Sequence, residues 1–329
     1  MLKIAFKNKK KECYKMTLQT SGIHHITAFV QNAQENVDFY AGVLGLRLVK
    51  KTINFDAPEV YHLYFGNEEG SPATIITFFP SANSRQGRIG AGQVGRTTFV
   101  VPTGSFEFWE KRLTGFGIAV TKQVRFSEKY LQFADRDGLQ LELVEREEGP
   151  QSQWSFGGVT AEKAIKGFGG AILFSAAPDQ TAKVLEQVMG LHRVGQDGDY
   201  IRFKATGDLG NLIDINFQET AWGEGGAGTI HHIAWRAKDF EEHALWRNHL
   251  IANGQQPTQI IDRQYFNAIY FREAGGILFE IATDPPGFAN DEQAESLGEK
   301  LMLPEWFEPV RAEIIKNLPP IQVRVLEEK

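Results

Sequence analysis

The chain has 329 residues, 42% hydrophobic and 23% charged, with a formal net charge of -6 and one cysteine. That length holds two ordinary domains, and the acidic balance offers no basic face for nucleic acid or an anionic membrane. The lone Cys13 excludes intrachain disulfides and thiolate metal clusters, so any metal is held by N and O ligands and a reducing cytoplasm is the expected compartment.

The opening MLKIAFKNKKKECYK is basic but lacks the apolar stretch of a signal peptide, and no later run is long enough to span a bilayer. Residues 1–21 read as a disordered extension, with Met1 or Met16 as the start. Next, GIHHITAF at Gly22–Phe29 reads as a buried strand in which alternation sends the two imidazoles to opposite faces. A helix follows, with Val37, Tyr40, Val43 and Leu44 at helical spacing and Gly45 as its stop. The β-branched and aromatic runs VYHLYFG and ATIITFFP complete a βαβββ module over residues 22–80.

The order restarts after SANSRQGRIGAG with RTTFVVP, SFEFWEKRLTGFG, YLQFADRDG and LQLELVE. After a polar linker it restarts again with GGAILFS, PDQTAKVLEQVMGLHRV, YIRFKA and NLIDINFQE. The fourth module runs GTIHHIAWRA, FEEHALWRNHLIANG, NAIYFREAGG and ILFEIATDP, so four copies follow one another at about 61 to 73 residues. The helices of modules one and three resemble each other, as do those of two and four. The expected class is α+β: four βαβββ modules paired into two domains of curved, barrel-like mixed sheets with flanking helices. The divisions are 22–148 for modules one and two, 149–166 as linker, 167–283 for modules three and four, and 284–329 as a covering tail. That tail is expected to hold a helix from Pro304 to Asn317 with Trp306, Val310 and Ile314 on its apolar side.

GIHHITAF and GTIHHIAW echo one another, and superposing the first strands puts His25, Thr98, a small residue near Gly170 or Ala171, and His232 in one slot. Superposing the last strands puts Thr77, Glu142, Asp214 and Glu280 in a second. Modules two and three have an acid and no histidine, which predicts paired or solvated carboxylates. Modules one and four together offer two histidines and Glu280, a 2-His-1-carboxylate set of the kind that suits non-haem Fe(II). Spacing alone leaves open which histidine of each pair ligates. His62 is expected to be a packed or edge imidazole, His192 to follow a helix end, and His243 and His249 to lie on the solvated face of the last module's helix.

The βαβββ unit, the strand-opening His-Ile-Thr and His-Ile-Ala, and FREAGGILFEI resemble the vicinal oxygen chelate superfamily of glyoxalase I and the extradiol dioxygenases, over residues 22–283. YHLYFG, GIHHIT, TIHHIAW and LPEWFEPVR are similar to its hydroquinone ring-cleaving branch. The resemblance implies Fe(II) on His25, His232 and Glu280, with module one facing module four, although other divalent metals can occupy the same ligands. It further implies an outer shell of His24, Thr27, His231, Arg263 and Tyr270. Among these, His231, Arg263 and Tyr270 are expected to be catalytic, and His24 and Thr27 to bind substrate. The implied activity is an extradiol-type insertion of O2 into a small aromatic diphenol. Two alternatives stand beside it: a glyoxalase-I-like lyase or isomerase acting on a thiol adduct, which needs a fourth ligand where Thr77 stands, and a metal-free binding protein. Nothing in the sequence forbids an oligomer.

Overall fold

The structure, a computed structural model, describes residues 18–328. Most of the expected extension therefore lies outside the described residues. Its last part is packed: Thr20 is fully buried and donates its backbone N–H to the Met189 carbonyl.

Module one comprises β1 (Ile23–Val30), α1 (Ala33–Val37), β2 (Arg47–Asn54), β3 (Ala57–Gly66) and β4 (Ile75–Pro80). Asn32 caps α1 by accepting the Glu35 N–H, and the helix widens into a π turn over Asp38–Val43 before Gly45 ends it at φ +69°. Module two comprises β5 (Gln93–Val101), α2 (Phe106–Gly115), β6 (Thr121–Arg125), β7 (Glu128–Ala134) and β8 (Gln140–Glu145). Module three comprises β9 (Gly167–Phe174), α3 (Pro178–Lys183), β10 (His192–Asp197), β11 (Tyr200–Lys204) and β12 (Leu212–Asn216). Its helix also ends in a π turn, Val184–Val188, so the likeness between modules one and three extends to their helical geometry. Module four comprises β13 (Thr229–Ala237), α4 (Phe240–Ala252), β14 (Ile261–Asp262), β15 (Phe266–Arg272) and β16 (Leu278–Pro286).

The strands form two eight-stranded curled sheets, ordered β14-β15-β16-β13-β1-β4-β3-β2 and β10-β11-β12-β9-β5-β8-β7-β6. Module one thus shares a sheet with module four, and module two with module three. Each sequence half, 22–148 and 167–283, gives one module to each sheet. The joints are the antiparallel pairs β1–β13 and β5–β9. The two connecting segments between modules also touch, with Arg88 bridging to Glu224 and Ala91 to Trp222.

Helices cover the outer faces through buried aromatic residues such as Trp109 and Trp246. On α4, His243, Trp246 and Leu250 share the buried stripe. His243 is therefore buried rather than solvated, and its Nε2–H donates to the Ile281 carbonyl at 2.9 Å. His249 is half-buried and reaches the Val188 carbonyl at 2.9 Å. His192 begins β10 and is exposed. The tail holds a 3-10 turn (Glu305–Val310) followed by α5 (Arg311–Asn317); Ile314 packs inward while Trp306 and Val310 stay exposed. Among the described residues no helix is long and apolar enough to cross a membrane.

Candidate metal centre

The site forms where the joint between modules one and four bends. In the β1–β13 ladder Ile23 faces Trp235 while His25 faces Ala234, so His24 is an extra residue on β1; Thr27 faces His232 while Ala28 faces Ile230, so His231 is an extra residue on β13. Both are β-bulges, and each re-aims the neighbouring histidine. His25 and His232 turn their Nε2 atoms toward each other at 3.1 Å. Glu280, brought alongside by the parallel pairing of β16 with β13, places Oε2 2.9 Å from His232 Nε2 and 3.5 Å from His25 Nε2.

Both Glu280 oxygens are buried and neither has a hydrogen-bond partner, because the short approaches to the imidazoles do not have hydrogen-bond geometry. Burial pushes this carboxyl up, but His25 and His232 outweigh burial and hold it well below the usual range, so it is an anion. Burial is also the main cause lowering the pKa of His232, favouring the neutral imidazole that ligates. Three ligand atoms lie within 4.8 Å of one another on residues that are all buried. A completely buried carboxylate with unanswered oxygens, beside two imidazole lone pairs, fits a divalent cation.

Each inner histidine is steadied by its neighbour. His24 Nδ1 lies 2.9 Å from His25 Nδ1, and His231 Nδ1 lies 2.7 Å from His232 Nδ1, leaving the Nε2 atoms free for the centre. The cavity above it measures about 310 Å³ and is lined by His25, His231, His232, Arg263 and Tyr270, with Phe29, Phe79 and Phe266 among its walls. Phe29 stacks edge-on to His231 at 5.0 Å, and Phe266 lies 4.8 Å from His25. Arg263 donates from Nε to the Tyr270 hydroxyl at 3.2 Å and pairs with the exposed Asp56 at 3.0 Å. Burial first, and the Glu280 charge second, push the Tyr270 hydroxyl well above its ordinary pKa, so it remains a donor.

Two of the expected substrate contacts lie away from this cavity. Neither His24 nor Thr27 lines this cavity. The bulge turns His24 to the other face, where it lines a separate cavity with Tyr265 and Phe288. Thr27 shares the face of His25 but lies beneath the centre, fully buried and 2.8 Å from the Thr77 hydroxyl. Conversely, His62 lines the cavity together with Tyr64. The alternation in VYHLYFG puts both on one face of β3, and Tyr64 sits opposite Thr77 in the β3–β4 ladder. That alternation was the available signal.

The first-strand slot is corrected as well. Thr98 pairs with Glu142 as Thr27 does with Thr77 and Ala234 with Glu280, so the residue equivalent to His25 and His232 is Arg96, two positions earlier. Gly170 keeps the slot expected of it. The carboxylates of modules two and three are paired, as expected: Glu142 with Arg96 and Arg125, Asp214 with Arg125 and Arg202.

Comparison with known proteins follows the same lines. The profile of the Glyoxalase/Bleomycin resistance protein/Dioxygenase superfamily matches residues 22–150. A Bacillus subtilis (strain 168) protein named as a ring-cleaving dioxygenase, MhqO, is 59% identical over 95% of this chain and 100% of its own length. A chlorohydroquinone/hydroquinone 1,2-dioxygenase from Sphingobium indicum is 33% identical over 91% of this chain and 96% of its own. The crystal structure of a B. subtilis protein described as a dioxygenase superposes with a TM-score of 0.93 at 60% identity, covering 94% of this chain and all of that one. Glyoxalase I from Zea mays, at 13% identity and a TM-score of 0.59 over 80% of this chain and 92% of that one, shares the fold.

Proposed function

This chain belongs to the glyoxalase/bleomycin resistance protein/dioxygenase superfamily, among its ring-cleaving dioxygenases, and from that premise we propose that it opens hydroquinone-type aromatic rings with O2 at an Fe(II) centre. The observation that carries this reading is the buried, unanswered Glu280 carboxylate facing two imidazoles at the floor of an aromatic-walled cavity. Fe(II) in a 2-His-1-carboxylate set leaves coordination positions open for substrate and O2. In a para-diphenol the bond cleaved lies between a hydroxylated carbon and its unsubstituted neighbour, the same relation to the metal-facing hydroxyl as in extradiol cleavage.

The protein side chains supply binding, orientation and proton handling. Phe29, Phe79 and Phe266 hold a flat ring and exclude water from the floor. Arg263 presents its positive charge to the ionised phenolic oxygen, and the Tyr270 hydroxyl, already accepting from Arg263, directs its proton into the cavity. His231 stands at the cavity edge; burial first and His232 second keep its imidazole neutral, and with Nδ1 turned to His232 its Nε2–H can donate to an oxygen of the substrate. Thr77, in the fourth-ligand slot, is bonded to Thr27 and His62, which disfavours the four-ligand lyase.

The test is O2 uptake by anaerobically iron-loaded protein with methylhydroquinone and with catechol. Iron-dependent uptake with a ring-opened product is expected, falling at least about a thousandfold in His232→Ala together with loss of bound metal. No uptake with either phenol, alongside turnover of a methylglyoxal-thiol adduct on nickel or zinc, would overturn the proposal.

A further inference from the structure

His62 and Tyr64 are polar side chains of the cavity wall that take no part in the binding and proton handling assigned to Arg263, Tyr270 and His231. Tyr64 occupies on β3 the place that Tyr270 occupies on β15: the one lies opposite Thr77 in its ladder, the other opposite Glu280. The two tyrosines thus reach the same cavity from symmetry-related arms of one curled sheet. Their partners differ. Tyr270 is held by a guanidinium, whereas Tyr64 is held by a neutral network: its hydroxyl is 2.8 Å from His62 Nδ1, His62 Nε2 is 2.8 Å from the Thr77 hydroxyl, and Thr77 is 2.8 Å from the Thr27 hydroxyl. The His62 ring is clamped between Tyr64 at 4.0 Å and Phe79 at 4.4 Å. Burial, followed by the nearby His25 and His232, keeps this imidazole neutral.

One arm is therefore cationic and the other neutral. A charged arm suits an ionised oxygen at the metal; a neutral hydroxyl-imidazole chain suits an oxygen that keeps its proton. In an ortho-diphenol both oxygens lie side by side and can reach one metal, whereas in a para-diphenol the second oxygen lies across the full width of the ring and needs its own partner. We infer that Tyr64, positioned by His62, is the specificity-determining subsite for the ring hydroxyl para to the metal-facing oxygen. The inference rests on the reading of this site as a phenol-cleaving centre. The Tyr64 oxygen accepts from that hydroxyl while donating to His62 Nδ1, and His62 passes its Nε2–H to Thr77, which donates in turn to Thr27. Read in the opposite direction, the same chain makes Tyr64 a donor, so it also takes a carbonyl at that position.

Hydroquinone and 4-methylphenol differ only in whether the para substituent is a hydroxyl or a methyl of similar size. Their dissociation constants from the iron-loaded protein, measured by calorimetry under argon, read the subsite without turnover. The native protein is expected to prefer hydroquinone by about tenfold. In Tyr64→Phe the preference falls to about twofold or less, through weaker hydroquinone binding, while 4-methylphenol binds as before and iron content is retained. His62→Gln, which leaves the tyrosine but removes its anchor, lowers the preference part of the way, and serves as the second variant should Tyr64→Phe lose its native melting transition. A Tyr64→Phe protein that keeps the tenfold preference, or that weakens both phenols equally, overturns the inference and leaves the dioxygenase reading standing. A native protein that binds neither phenol overturns both.

Discussion

The two curled sheets are the same structure with opposite contents. At the bulge positions the first has His24 and His231, the second Gly169 and Gly95. At the next positions it has His25 and His232 against Gly170 and Arg96, and beside them Thr77 and Glu280 against Asp214 and Glu142. On the third strands Tyr64 and Tyr270 correspond to Arg202 and Gln132. Even the outer arginines match: Arg263 stands seventeen residues before Glu280 and Arg125 seventeen before Glu142. In the second sheet Arg125 bends inward, 2.9 Å from Glu142 and 2.7 Å from Asp214, and Gln132 and Thr98 complete the shell of Glu142. The space left there is about 10 Å³, against about 310 Å³ in the first sheet. In the first sheet Arg263 is held outward by Tyr270 and Asp56, and Glu280 meets only imidazoles. A carboxylate in this slot becomes a strut or a ligand according to where its arginine is held. Ligation is also barred sterically in the second sheet, since any Cβ on Gly170 would lie 2.0 Å from the Leu212 carbonyl oxygen.

The comparison breaks most sharply on the two glutamates. Glu142→Gln removes one partner of a buried ion-pair network and is expected to destabilise by about 3–5 kcal/mol, because Arg96 then lacks its anion and Arg125 keeps only Asp214. Glu280→Gln in the metal-free protein removes a carboxylate that meets two imidazoles and no arginine; since those imidazoles outweigh its burial, a loss is expected, but a smaller one of about 1–2 kcal/mol. Paired denaturant melts of the two variants, with chelator present, decide the matter; equal losses would mean that the two slots are not physically distinct.

The sequence made the repeat legible because GIHHITAF and GTIHHIAW carry the same rare pair, and the end of each module displays its acid at one strand position. It made the ligand set legible for the same reason, through His25, His232 and Glu280. Bulges escaped it, since one extra residue is invisible to period-two alternation until a partner strand is known. That is why alternation alone sets Thr98 where Arg96 belongs, and why His24 and His231, alike in sequence, end on different cavities. Arg125 escaped it too, because its partners Glu142 and Asp214 come from two modules that meet only when the sheet closes. His243 was misplaced because the buried stripe of α4 is mixed, with an imidazole between apolar neighbours and exposed Phe240, Leu245 and Ile251 elsewhere on the helix.

A smaller effect is read in the second sheet by pH. Glu128 lies beside the strut, bonded to Arg146, Arg202 and Tyr130. Burial raises its pKa, but the two arginines and the tyrosine hydroxyl outweigh burial and bring it from 4.5 to about 2. A carboxyl depressed on folding contributes stability above its unfolded pKa and loses it as the pH falls through the folded value. Melts between pH 5 and pH 2 should therefore show a loss on the order of 2 kcal/mol after allowance for partial solvent screening. Glu128→Gln should be less stable than the native chain at pH 6 and should flatten that acid limb. An unchanged slope would remove Glu128 from the strut.

The smallest effect tests whether one sheet can be moved toward the behaviour of the other. Asp56 sits at the turn between β2 and β3, its side chain 72% exposed, and draws Arg263 toward the mouth of the cavity. Phe55 beside it is held by Trp306 and Phe307 of the tail at 5.9 and 6.2 Å, so the turn itself is anchored whatever residue 56 is. An exposed pair contributes at most about 1 kcal/mol. Asp56→Asn should thus leave fold and stability alone, yet it removes one of the two restraints that keep the guanidinium from swinging onto Glu280 as Arg125 does onto Glu142. Arginine and metal then compete for one carboxylate, and metal affinity should fall by up to about fivefold at low ionic strength. Because the restraint is a surface charge pair, the difference from the native protein should close in high salt. Competition titrations with a metal-binding dye at two salt concentrations measure both. Tyr270 still holds Arg263 in this variant, so a loss well beyond fivefold would mean that Asp56, and not the tyrosine, is the chief reason the first sheet has a ligand where the second has a strut.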